Sequence, residues 1–222
     1  MKPVLFVMTS HGTKGASGKP TGFYLSEVTH PLAVLDAAGI RVEFASIQGG
    51  EPPVDGLDLD DPINARYWND ASFRASIAQS KALADIDSSA YSAIFFAGGH
   101  GAMWDFPTSA AVNEKTREVW EAGGIVGAVC HGPAALVNVT LSDGTYLVKG
   151  RKVAAFTDSE EEAVGLTQIV PFLLSSTLAQ RGAAMQPGAD WTRAVSVDGH
   201  LVTGQNPQSA TGVGEAIRDL LQ

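Results

Sequence analysis

An α/β fold built on a mostly parallel sheet is what this sequence predicts, and three observations carry that expectation. Short apolar runs at Val4 to Met8, Ala93 to Ala97 and Ile125 to Val129 have the length and uniform hydrophobicity of strands buried on both faces. Segments with helical spacing of apolar residues alternate with them. The first run ends at Thr9-Ser10, and the other two stop at residues suited to a site, Gly98-Gly99-His100-Gly101 and Cys130-His131. In open α/β sheets ligands bind at the carboxyl ends of the strands.

The elements follow in order. Val4 to Met8 opens the chain as a strand and leads into a glycine-containing loop from His11 to Gly22. A helix from Ser26 to Ala38 comes next, with Val28, Leu32 and Leu35 on its apolar side and Gly39 as its stop. Arg41 to Ile47 reads as the second strand, completing a strand-helix-strand unit with a right-handed crossover. The proline-, glycine- and aspartate-rich stretch from Gly49 to Pro62 is a surface excursion, and a helix is expected from Ser72 to Asp85. After the strand Ala93 to Ala97, a helix from Ser109 to Ala122 leads to the cysteine strand. Val153 to Phe156 is a further candidate strand. The acidic run at Asp158, Glu160, Glu161 and Glu162 suits a helix start and predicts a helix toward Ala179, broken by Pro171. Asp198-Gly199 between two apolar stretches signals a hairpin, and Thr211 to Leu221 closes the chain as a helix.

Composition narrows the function classes. With 222 residues, 45% of them apolar, the chain has enough material for the core of one domain, expected to span 1-222. A net charge of -9, with the fifteen basic residues scattered, argues against nucleic acid as a partner. No apolar stretch reaches the roughly 20 residues needed to span a bilayer, so no membrane partner is expected. The start MKPVLFVMTS lacks the pattern of a signal peptide, which predicts a cytoplasmic protein. One cysteine excludes an internal disulfide, and the histidines lack zinc-ligand spacing, so neither metal nor cofactor is expected.

That one cysteine, Cys130, stands where an apolar strand ends, with a helix expected to begin at Gly132-Pro133. Small residues two before and two after it, Ala128 and Gly132, meet the steric demand of a nucleophile elbow. The helix terminus is expected to lower its pKa below about 8.5. A buried cysteine acting as a small hydrophobe is the plainer alternative. Glu27 after the first strand, Gly98 to Gly101 after the third, and Cys130 with His131 fall at one sheet edge. The backbone N–H groups of His131 and Gly99 are candidate oxyanion donors, and His131 is a candidate base or acid. From sequence alone Glu27 reads more readily as a carboxylate complementing a helix start, and Gly98 to Gly101 equally as an ordinary turn. His100 is not expected to be a ligand. Trp104, Phe23 and Tyr24 lie beside these segments and suit either pocket lining or packing.

The segments AVCHGPAAL, AGGHGAMWDFP, TGFYLSEVTHP and VTGQNPQSA together resemble the ThiJ/PfpI family, across nearly the whole chain. The resemblance implies a flavodoxin-like three-layer sandwich, similar to that of class I glutamine amidotransferases. Within the family, the long loop after the first strand and the GGHG segment resemble the chaperone-like glyoxalase III branch. That likeness implies glutathione-independent, cofactor-free conversion of methylglyoxal to D-lactate, and commonly a homodimer. Carried over by position, Cys130 matches the nucleophile, Glu27 the acid beside it, His131 the following histidine, and Gly99, next to Gly98, the oxyanion glycine. The third triad member falls closest to Glu161, flanked by Glu160 and Glu162. A protonated Glu27 donating to a Cys130 thiolate is the arrangement that avoids two adjacent charges, and it leaves the thiol readily oxidised.

Rival readings remain distinct. Glutamine amidotransferases are similar in fold but carry a His-x-Glu pair after the cysteine, which this chain lacks. A cysteine-dependent amidase or peptidase uses the same residue types. A stress-linked holdase or redox sensor would instead use an apolar surface, with Cys130 as its switch.

Overall fold

In the computed structural model, which describes residues 2–222, the apolar runs assemble into a seven-stranded sheet. Its order is Val195–Asp198, Leu201–Gly204, Ile125–Val129, Ala93–Phe96, Val4–Met8, Val42–Ser46 and Lys81–Ala82. Every pairing is parallel except that between the first two strands. The chain winds outward from Val4–Met8 to one edge, then returns to its other side at Ala93–Phe96 and winds toward the opposite edge. Right-handed crossovers in opposite directions put their helices on opposite faces, which gives the expected flavodoxin-like layering. The reversal lies between Val4–Met8 and Ala93–Phe96, so the loops after these two strands diverge and leave a crevice.

The central strands are buried along their whole length, which is why they read as unbroken apolar runs. Phe6 lies 4.6 Å from Phe95 and 6.1 Å from Phe44, ring centre to ring centre, and Phe44 meets Phe73 at 5.8 Å. This aromatic file ties three strands to the helix Ala71–Ala78. The helices Ser26–Ala37 and Ala210–Leu221 pack together, and Gly214 permits their approach, since a Cβ there would sit 2.7 Å from the backbone of Pro31. Helix Ala110–Glu121 starts where Ser109 Oγ accepts the Val112 N–H.

Two expected elements need correction. The helix expected over Ser72 to Asp85 ends at Ala78, and Lys81–Ala82 is instead an edge strand. A helix at Pro62–Trp68 precedes it, started by Asp61, whose carboxylate accepts the N–H groups of Ile63 and Asn64 ahead of a Pro at the first position. Of Val153 to Phe156 only Val153 is in a strand, with Lys152, and its partner Ala184–Met185 lies outside the main sheet. The acidic helix is broken as expected, into Asp158–Ala163 and Leu174–Gln180, with Pro171 in the irregular stretch between them.

Candidate functional site

Cys130 sits at the tip of the strand Ile125–Val129 with φ at +59°, a left-handed conformation that a non-glycine residue adopts only when its surroundings enforce it. Its N–H donates to Gly204 O at 2.9 Å and its carbonyl accepts the Phe156 N–H at 3.0 Å. Both backbone groups are thus held by neighbouring segments. The turn tolerates nothing larger at Gly132, where a Cβ would lie 2.2 Å from Phe96 O. The helix that follows is not the α-helix expected but five residues of 3-10 helix, Gly132–Leu136. So short a helix has little dipole to offer. Burial, and then the Glu27 carboxyl, instead hold the Cys130 thiol well above its ordinary range, opposite to the depression expected from sequence.

The adjacent histidine turns its ring back to the thiol. Cys130 Sγ lies 3.4 Å from His131 Nδ1, and His131 Nε2 lies 2.8 Å from Glu161 Oε2. Hydrogen bonds from His100 and His131 outweigh the upward push of burial on Glu161 and bring it to about 2, so it is ionised. An ionised carboxylate only accepts, which places the imidazole proton on Nε2 and leaves Nδ1 bare toward the thiol. Burial and the neighbouring His100 lower His131 to about 4, against the pull of Glu161. The ring is neutral near pH 7.

Glu161 reaches this position because Thr157 starts the helix Asp158–Ala163 with a capping box. Thr157 Oγ1 accepts the Glu160 N–H, and Glu160 Oε2 accepts the Thr157 N–H, both at 3.1 Å. Glu160, buried, gives its other oxygen to Trp191 N–H, Gln205 Nε2 and Asn206 Nδ2. Glu162 is exposed. Of the three neighbouring acids, Glu161 alone meets the histidines.

His100, not expected to be a ligand, donates from Nε2 to Glu161 Oε1 at 2.9 Å, and its ring lies tilted against that of His131, 4.0 Å centre to centre. One carboxylate therefore holds two imidazoles. His100, His131 and Glu161 are also the only grouping of metal-ligating side chains found close enough for an ion among the described residues, their atoms lying within 4.8 Å of one another. Both Nε2 atoms are engaged by the carboxylate.

Glu27, in the first turn of its helix, is fully buried rather than a solvated helix-start carboxylate. Neither oxygen has a well-formed hydrogen bond. Burial raises its carboxyl to about 8, against weaker pulls from the Cys130 thiol and the Gly98 N–H. The neutral acid is the form present near pH 7, so this pair holds at most one negative charge. Gly98 allows the contact, since a Cβ there would stand 2.3 Å from Glu27 Oε2 and 2.8 Å from His131 N. Gly99 is at φ +101°, and its Cβ would lie 2.3 Å from Gly22 O.

Glu27, Gly99, His100, Cys130 and His131 border a cavity of about 360 Å³, lined further by Tyr24, Phe156 and Trp191. Phe23 is buried in the core, and Trp104 stacks on His11, ring centres 5.2 Å apart. A larger cleft of about 600 Å³ opens around Tyr91, Glu118 and His200 and brings together no thiol, base and acid.

The sequence profile of the DJ-1/PfpI family matches residues 20–219. Glyoxalase 3 of Candida albicans is 32% identical over 98% of this chain and 97% of its own length. The glutathione-independent glyoxalase HSP31 of Saccharomyces cerevisiae is 30% identical over 94% of this chain and 93% of its own. Among solved structures, the Rapid Encystment Protein 24 kDa of Francisella tularensis superposes with a TM-score of 0.97 at 40% identity, covering all of both chains. Glyoxalase III of Candida albicans superposes at 0.91 with 31% identity, over 99% of this chain and 97% of that one.

Proposed function

This chain belongs to the DJ-1/PfpI family, and from that premise we propose that it is a glutathione-independent glyoxalase, converting methylglyoxal to lactate on Cys130. The observation that carries the reading is a thiol, a neutral imidazole and a neutral buried carboxyl meeting in one cavity.

The residues suit the reaction step by step. His131 Nδ1 takes the thiol proton as Sγ adds to the aldehyde carbon, and Glu161 stabilises the imidazolium that forms. The carbonyl oxygen becomes the hydroxyl of a hemithioacetal, taking its proton from Glu27 or from His131. Here the N–H groups of His131 and Gly99 serve as oxyanion donors. Removal of the proton on C1 gives an enediol, and return of a proton to C2 gives the thioester of lactate. Water then releases lactate and restores the thiol, so the net reaction adds one water without net oxidation. Glu27 suits the proton transfer between the two carbons because its pKa near 8 allows it to give and take a proton near neutral pH.

A homodimer in the cytoplasm belongs to the same reading and is supported by the family likeness; light scattering on the purified chain tests the assembly. Among the described residues no helix is long and apolar enough to cross a membrane. The direct test of function is D-lactate formation from methylglyoxal without glutathione and with a chelator present, alongside Cys130→Ser and Glu27→Gln. Lactate from the wild type and none from either variant is expected; no lactate from the wild type overturns the reading.

A further inference from the structure

Among the described residues two non-glycines have left-handed backbone, Cys130 and Trp191, both at φ +59°, and both line the same cavity. Such a conformation costs of order 1–3 kcal/mol and persists only where the surroundings over-determine it. At Trp191 the agent is Glu160, fully buried, whose Oε1 accepts the Trp191 N–H at 2.9 Å while also accepting from Gln205 and Asn206. The indole is thereby fixed edge-on to Phe156, ring centres 5.7 Å apart, and Phe156 in turn lies 4.3 Å from the His131 ring. Trp191 nevertheless remains 41% exposed, and Val164, also on the cavity wall, 42%. A rigidly held, half-solvated indole beside a second exposed apolar side chain suits contact with an apolar group brought by a ligand.

Cys130, His131 and Glu27 line the cavity together with the apolar Phe156, Val164, Leu166 and Trp191, and the charged Lys14, Lys19 and Asp55 line it as well. At about 360 Å³ the space lies in the range of sites for ligands much larger than the three carbons of methylglyoxal. We propose that Trp191, held by Glu160, is a specificity-determining residue that selects α-oxoaldehydes carrying a bulky apolar or aryl substituent, with the substituent against Trp191 and the aldehyde carbon at Cys130. This deepens the glyoxalase reading and rests on it. Phenylglyoxal passes through the same hemithioacetal, enediol and thioester, takes up one water and leaves as mandelate, again without net oxidation.

The test compares kcat/KM for phenylglyoxal and methylglyoxal in the wild type, Trp191→Phe and Trp191→Gly. Glycine removes the ring but accepts the left-handed backbone, so loss of the side chain is separated from loss of the fold; thermal melting confirms it. Expected in Trp191→Gly is a fall of about tenfold to a hundredfold in the ratio of kcat/KM for phenylglyoxal to that for methylglyoxal, mainly through KM. Trp191→Phe is expected to retain most of the preference. Equal changes on both aldehydes, or a wild type that converts methylglyoxal but not phenylglyoxal, overturn the inference and leave the glyoxalase reading standing. A wild type that converts neither overturns both.

Discussion

His100 and His131 bind opposite oxygens of Glu161, at 2.9 and 2.8 Å, so that a single carboxylate orients one imidazole that faces the thiol and one that does not. Removing His100 leaves Glu161 with one donor fewer and takes away one of the influences that lower His131. His100→Ala should therefore fold, lose roughly tenfold in kcat and move the acidic limb of its pH profile. Rates with methylglyoxal across pH 4 to 7 check this; an unchanged limb and rate would remove His100 from the site.

The wild-type profile of kcat/KM should be bell-shaped. His131 is a competent base only above about 4, where it is neutral, and Glu27 a competent proton donor only below about 8. Activity rises through the first value, falls through the second, and the two limbs belong to coupled groups. A profile flat from pH 5 to 9.5 would contradict the assignment of Glu27.

Glu27 should weaken the fold as pH rises. Below its ordinary value of 4.5 the carboxyl is protonated in folded and unfolded chains alike, and burial carries no ionic penalty. Between 4.5 and about 8 only the unfolded chain ionises, so stability falls by about 1.4 kcal/mol per pH unit and levels off above. Glu27→Gln escapes this loss. Its melting temperature should exceed that of the wild type by several degrees at pH 8 and approach it at pH 5; differential scanning calorimetry at the two pH values decides.

Neighbouring acids should part company on mutation. Glu161→Gln loses the charge that stabilises an imidazolium, for a drop of about 10² to 10⁴ in kcat with little loss of stability. Glu160→Gln disturbs a buried carboxylate with several donors and should cost about 1–3 kcal/mol of stability. Urea titration and initial rates on both variants make the comparison, and similar effects of the two substitutions would contradict it.

Gly99→Ala should be damaging at once in fold and rate. Its φ of +101° is hostile to a side chain, and the Cβ would press on the backbone of Gly22 at 2.3 Å. A soluble, fully active variant would exclude Gly99 as a fixed part of the site.

Much of this was legible in the residues. The strands Val4–Met8 and Ile125–Val129 fall where their apolar runs lie, because strands buried on both faces have no polar residue to blur the ends. The elbow was legible at Cys130 because Gly132 and Ala128 leave room for it. The helix Pro62–Trp68 was hidden by its own N-terminal signal, since Asp61-Pro62 caps a helix as readily as it turns a loop. The role of His100 was not legible because the partner that gives it meaning lies 61 residues away. Phe156 and Trp191 enter the cavity from segments without motif or periodicity, and the thiol's raised pKa follows from burial that no local pattern encodes.

Cys130 and His131 are consecutive, so their backbones move together and relative motion of sheet and helices does not by itself part the thiol from the ring. The carboxylate is different. It arrives 30 residues later on a six-residue helix held by its Thr157 cap, by the contact of Asp158 with Ser176 and by the bonds of Glu160 to Trp191, Gln205 and Asn206. On warming, so short a helix should loosen before the seven-stranded sheet gives way. The enzyme should accordingly fall silent a few degrees below its melting transition, with nucleophile and base still in contact, and recover on cooling.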